Sequence, residues 1–177
     1  MIPYNRKPVK YISVDGTEIA SFVSETDGNM DAATVLSFGN EWNTFSSFTD
    51  DDIQRAGEQY FDIVTPEMLG TGSLVLDIGC GTGRWSKFLS SRCGFIEAVD
   101  PSSAVIPAAQ LVSGISNIRI TQCGVSNIPF PDASFDFIFS LGVMHHLPDT
   151  QEALRKATEK LRQGGHFLIY LYYNLDN

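Results

Sequence analysis

From residue 74 onward the chain alternates short apolar runs with segments whose apolar residues recur at helical spacing. Leu74-Val75-Leu76-Asp77-Ile78, Phe95 to Asp100, Asn117 to Gln122, Phe135 to Ser140 and His166 to Tyr173 are five runs of strand length bounded by turn residues. Between them, Trp85, Phe88 and Leu89 recur at i, i+3 and i+4, the inward stripe of a helix. Ser102-Ser103 caps a second helix reaching about Val112, and Pro107, about a turn in, predicts a late start or a kink. Asp149 with Glu152 three residues on makes a capping-box-like start for a third helix, striped by Leu154, Ala157 and Leu161 and ended by Gly164-Gly165. Strands that are apolar throughout need cover on both faces. Their alternation with helices therefore predicts an α/β fold with a doubly wound, mainly parallel sheet joined by right-handed crossovers.

The first forty residues have another texture. Lys10 to Val14 and Glu18 to Val23 flank Asp15-Gly16, a strong hairpin signal between β-prone runs. A polar loop, Glu25 to Asn29, leads into a stretch carrying Phe38, Trp42, Phe45 and Phe48, which is expected to pack on the main domain as a cover. Thr49-Asp50-Asp51-Asp52 supplies cap chemistry and negative charge for a helix over about residues 50–64. The expected organisation is an N-terminal extension with a β-hairpin and helical segment over residues 1–40, followed by one domain over 41–177.

Composition narrows the class. The 177 residues carry 12 Lys plus Arg against 21 Asp plus Glu, a formal net charge of -9, with 43% hydrophobic residues. This suits a single globular domain, and the acidic balance disfavours gripping phosphate backbones, which needs a basic face, so no nucleic-acid partner is expected. The longest apolar run, Phe167 to Tyr173, falls far short of the roughly 20 residues that span a bilayer. Met1 to Pro8 has no apolar stretch behind its basic residues, which argues against a secretory signal, so a cytoplasmic protein without membrane contact is expected. Cys80, Cys93 and Cys123 are odd in number and form no CxxC pair, so neither a disulfide framework nor a metal site is expected.

The chemistry gathers at the carboxyl ends of the strands, where ligands sit in doubly wound folds. Asp77-Ile78-Gly79-Cys80-Gly81-Thr82-Gly83 joins the first of the five strands to its helix, and glycines there let the backbone turn sharply and approach a ligand. The spacing is GxGxG, with Arg84 where the nicotinamide and flavin fingerprint has its third glycine. A pyrophosphate gains from a bare helix N-terminus, whereas a ligand with a cationic amine gains from a nearby carboxylate such as Asp77. Asp100 closes the second strand about 20 residues later, where an acid can accept hydrogen bonds from both hydroxyls of a ribose. Capping of the following helix is the competing role for that residue.

Four stretches carry a family resemblance: Val75 to Gly83, then Val99-Asp100-Pro101-Ser102, then Ile128 to Ile138, then Val143-Met144-His145-His146-Leu147. In order and spacing they resemble the motifs of class I S-adenosylmethionine-dependent methyltransferases, most of all the small-molecule group often called type 11, over roughly residues 70–173. The resemblance implies S-adenosylmethionine as cofactor and a Rossmann-like methyltransferase fold. It implies that Gly79, Gly81 and Gly83, with Cys80 among them, line the methionine part, and that Asp77 faces the methionine amine. Asp100 would hold the ribose, Pro101 and Ser102 would border the adenine, Val125 and Ser126 would meet the adenine edge, and Ser140 with Leu141 would offer a carbonyl to the amine. An Asp common in the family is replaced here by Gly124, which removes a side-chain hydrogen bond to the adenine amine. His146 falls at the family's usual His position and His145 at a variable one, and a His is the natural general base near neutral pH. Methyl transfer from a sulfonium is served largely by proximity and desolvation, so a positioning role for His146 ranks slightly ahead.

The function expected is methyl transfer to an O, N or C atom of a small-molecule acceptor by in-line displacement. The alternatives are a cofactor-binding protein without catalysis and an NAD(P)-dependent oxidoreductase. The family sheet has seven strands, the last two an antiparallel hairpin, and this chain reaches only just beyond the fifth, at Leu175-Asp176-Asn177. An incomplete acceptor half is therefore expected, with the Phe167 to Tyr173 strand as an apolar edge open to homodimer formation.

Overall fold

The computed structural model describes residues 1–24, 28–44 and 48–172. Glu25, Phe45 and the Tyr173 end of the last strand lie outside the described residues. The elements run β1 (Lys10–Val14), β2 (Thr17–Ser21), α1 (Ala32–Thr44), α2 (Asp50–Tyr60), β3 (Leu74–Ile78), α3 (Arg84–Leu89), β4 (Phe95–Asp100), α4 (Val105–Leu111), β5 (Ile118–Gln122), β6 (Phe135–Leu141), α5 (Thr150–Lys160) and β7 (Leu161–Tyr170), with short 3-10 turns among them.

The strands form one sheet in the order β1-β2-β5-β4-β3-β6-β7. All neighbours from β2 to β7 pair in parallel, and β1 and β2 form the antiparallel hairpin predicted around Asp15-Gly16. The five strands from β3 onward fall on the five predicted runs, the last of them shifted, since β7 begins at Leu161 rather than His166 and ends at Tyr170. The hairpin does more than cover the domain: β2 joins the sheet edge, with Ala20 opposite Thr121 and Ser21 opposite Gln122. Continuous apolar strands are explained by two cores. Val75, Ile96, Phe137 and Phe139 face one side under α2, α3 and α4, while Leu76, Ile78, Val99 and Ile138 face the other under α5 and the N-terminal segment.

Two of the three expected caps form, while α4 is preceded by Ala104 without a side-chain cap and Ser102 Oγ accepts from Ala104 N at 3.1 Å instead. The Thr49 hydroxyl accepts from Asp52 N at 3.1 Å, and the Asp149 carboxylate accepts from Glu152 N at 2.8 Å. α2 ends at Tyr60, four residues short of expectation, and Phe61 turns inward to stack on Phe88 with ring centroids 5.6 Å apart. α4 starts late, at Val105, as Pro107 requires. The expected end of α5 is also corrected. Gly164-Gly165 does not end α5, which stops at Lys160, because Leu161 already pairs with Phe135 in β7. The glycines instead carry a register shift before His166 meets Phe137, and a Cβ on Gly165 would lie 2.8 Å from the Asp136 carbonyl oxygen. β7 is the last strand of the sheet, with Ile169 and Tyr170 exposed. Among the described residues no helix is long and apolar enough to cross a membrane.

Candidate functional site

Strand order reverses about β3, since the chain goes from β3 to β4 and β5 on one side and then to β6 and β7 on the other. The loops after β3 and β6 diverge there and leave a crevice. Gly79, Gly81 and Gly83 all have positive φ, at 76°, 52° and 79°, and they swing the chain from β3 into α3. At Gly79 the need for glycine is also steric, because a Cβ would lie 2.4 Å from a Val143 methyl.

A pocket with about 810 Å³ of empty space, its mouth included, opens over this loop. Its walls take Gly79, Cys80 and Gly81 from the loop, Asp100, Pro101 and Ser102 from the end of β4, and Leu141 and His146 from beyond β6. Eight predicted site residues therefore meet in one cavity. Its remaining side is α1, which contributes Val35, Phe38 and Trp42. The aromatic stretch signalled a cover, but nothing in the sequence placed it over this loop.

Asp100 is the polar centre of the pocket. Its Oδ1 accepts from Ser102 N at 2.8 Å and Ser102 Oγ at 2.6 Å, and its Oδ2 accepts from Gly81 N at 3.0 Å. Capping and ligand roles are thus not exclusive. A carboxylate has about four acceptor sites, and three are used, so acceptor capacity remains on Oδ2.

Other predicted residues stand behind the wall. Asp77 is 2% exposed, and its Oδ2 accepts from Ser86 Oγ at 2.7 Å. Burial first, and then the nearby Asp100, push its carboxyl up to about 8, so it is protonated at neutral pH. On the wall itself, burial drives the Cys80 thiol well above its ordinary range, which keeps it neutral. Gly83 packs on Ala108 of α4 and on Val112 just after it. Ser140 Oγ donates to the Ile78 carbonyl at 3.0 Å and ties the ends of β6 and β3 together. Val125 and Ser126 occupy the turn after β5, outside the pocket wall. Beside them, Met30 Sδ lies 2.8 Å from where a Cβ on Gly124 would stand, so a methionine from the N-terminal segment takes the space that an acid would need.

The two histidines part company. His146 lines the pocket with its ring centroid 4.8 Å from that of Phe38, and burial followed by His145 lowers its imidazole below the usual range. His145 is outside that wall, its ring 4.0 Å from the ring of His146 and packed edge-on against Tyr172 at 5.1 Å. Among the described residues, no group of three His, Cys, Asp or Glu side chains is placed to hold a metal ion.

Comparison with known proteins matches residues 76–169 to the family described as "Methyltransferase domain". The uncharacterized methyltransferase YcgJ of Bacillus subtilis is 33% identical over 102 residues, covering 56% of this chain and 40% of that protein. A tRNA U34 carboxymethyltransferase of Campylobacter concisus is 33% identical over 120 residues, covering 66% of this chain and 42% of its own length. The chain thus spans 40% to 42% of these two relatives. A SAM dependent methyltransferase structure from Aquifex aeolicus superposes with a TM-score of 0.57 at 25% identity, covering 70% of this chain and 72% of that one.

Proposed function

Because the chain belongs to the methyltransferase domain family, among the class I S-adenosylmethionine-dependent enzymes, we propose that it moves a methyl group from S-adenosylmethionine to an O, N or C atom of a small-molecule acceptor. The observation that carries this reading is the meeting of the glycine loop and Asp100 on one wall of a pocket whose other wall holds Leu141 and His146. The residues fit the cofactor. Gly79 and Gly81 expose backbone to it, Asp100 has an acceptor to offer a ribose, and Pro101 and Ser102 extend that wall. When bound, S-adenosylmethionine supplies an electrophilic methyl carbon on a sulfonium.

The chain's own part is positioning and exclusion of water. Phe38 and Trp42 of α1 close over the loop, with Trp42 Nε1 3.4 Å from where a Gly81 Cβ would stand. That cover keeps a reacting pair dry, which favours a displacement in which charge is lost. His146 borders the acceptor side. With its basicity lowered it is neutral near pH 7, free to orient an acceptor or to take its proton. Asp77, Gly83 and Ser140 brace the loop and the strand ends from behind.

A net charge of -9 supports a small acceptor over a polynucleotide, which would meet repulsion rather than counterion release. The test is calorimetric. S-adenosylmethionine and S-adenosylhomocysteine are expected to bind the protein and NADH is not, while binding of NADH alone would overturn the cofactor assignment.

A further inference from the structure

Arg84 follows the glycine loop directly and opens α3. Its guanidinium carbon lies 4.5 Å from the ring centroid of Trp85, 4.9 Å from that of Phe48 and 5.2 Å from that of Trp42. The group lines the pocket, half-buried, and burial works against its charge. Arg55, Arg119, Arg155 and Arg162 each hold a carboxylate. Among the described residues Arg84 pairs with none, although acids outnumber bases in this chain 21 to 12. The two acids on the same pocket are engaged elsewhere, Asp31 with Thr34 and Asp100 with Gly81 and Ser102.

Rings satisfy the faces of a guanidinium and leave its in-plane N–H donors open. Five donors in a fork, screened from water by aromatic walls, match the two oxygens of a carboxylate. The aromatic wall of the pocket, Phe38, Trp42 and Trp85, indicates which ligand brings them. From Trp85 the rings run on to Tyr60 at 5.0 Å, from there to Tyr170 at 5.3 Å, and on to Tyr172 at 5.3 Å. Trp85 is on the pocket wall, and the row leads away from it to Tyr170 at the end of β7, which lies across β3 from β4 and Asp100.

Building on the proposed methyl transfer, we propose that Arg84 is a specificity-determining residue that binds a carboxylate of the methyl acceptor, which makes the acceptor class a small carboxylic acid with a flat apolar body. Trp42, Phe48 and Trp85 hold the guanidinium in place, and the same rings offer stacking to the acceptor.

The test uses benzoate as probe, benzyl alcohol as its uncharged counterpart, and the variants Arg84→Met, which keeps an apolar stem among the rings, and Arg84→Lys. With S-adenosylhomocysteine saturating, benzoate is expected to bind the unaltered protein and to weaken at least tenfold in Arg84→Met, with partial recovery in Arg84→Lys. Benzyl alcohol is expected to be indifferent to the substitution. S-adenosylhomocysteine and 5′-methylthioadenosine, which lacks the amino-acid part, should each bind the protein and Arg84→Met equally. The proposal is overturned by equal benzoate binding to both proteins, or by no benzoate binding to the unaltered one. A loss of S-adenosylhomocysteine with 5′-methylthioadenosine unchanged also overturns it, because the partner is then the cofactor's own carboxylate. If S-adenosylhomocysteine binds neither protein, the cofactor reading fails on its own, and the benzoate arm run on the empty pocket still decides the role of Arg84.

Discussion

Arg119→Met is expected to cost about 3–5 kcal/mol of folding stability, the range for removing one partner of a buried ion pair. Glu97 sits in the middle of β4 with 1% of its surface exposed. It accepts from Arg119 Nε and from an Arg119 terminal nitrogen, both at 2.8 Å, and from the backbone N of Ile2 at 3.0 Å. Arg119 in turn reaches the Ile2 carbonyl and stacks under Tyr4, its guanidinium carbon 4.2 Å from the ring centroid, so the pair also fastens the N-terminal segment across the sheet. Burial pushes the Glu97 carboxyl up, and Arg119 is the main force holding it down. Without Arg119 the folded-state value rises further above the unfolded one. A group raised in this way stabilises the fold below its unfolded value and loses that contribution as pH rises through the folded one. The variant should therefore lose more stability at pH 8 than at pH 5. Urea unfolding at both values measures this, and the double variant Arg119→Met with Glu97→Gln should recover a large share by removing the stranded charge. A loss under about 1 kcal/mol at pH 8 would show the pair to be dispensable.

Gly79→Ala is expected to lose about 2–5 kcal/mol, combining roughly 1–2 for a left-handed residue with a Cβ and roughly 1–3 for overpacking. The backbone there has φ of 76°, and the new Cβ would meet two Val143 methyls at 2.4 Å and 2.7 Å. Relief requires the loop or Val143 to shift, and both line the pocket. S-adenosylhomocysteine affinity should accordingly fall more than tenfold in a variant that still folds. Adding Val143→Ala removes the steric part and leaves the conformational part, so the double variant should fall between Gly79→Ala and the unaltered protein in urea unfolding. Unchanged stability and affinity in Gly79→Ala would contradict the geometry assigned to the loop.

What could be read from the sequence was local. The unbroken runs Leu74 to Ile78 and Phe135 to Ser140 named themselves as doubly covered strands, and Thr49 and Asp149 marked helix starts within a residue. The glycine loop and Asp100 followed from strand ends, because chain order alone brings those ends together in this fold. What could not be read depends on partners far away in the chain. The β2–β5 register rests on two residue pairs about a hundred positions apart, too few to leave a pattern. Glu97 is an acid within an apolar strand whose bonds come from Arg119 and Ile2, 22 and 95 positions away. Gly164-Gly165 has the signature of a helix end and instead makes room over Asp136. Met30 against Gly124 and Trp42 over Gly81 are likewise contacts between segments whose patterns carry no mutual signal.

The central claim is that this pocket holds the cofactor by its ribose at Asp100, and the measurement that tests it most directly is the calorimetric titration of S-adenosylhomocysteine into the protein and into Asp100→Ala side by side. Loss of a hydrogen bond to a charged group should weaken binding by about 1.5–3 kcal/mol, roughly ten- to a hundredfold, with the unfolding curve still cooperative. Equal affinity for the two proteins, or no affinity in either, would contradict the account.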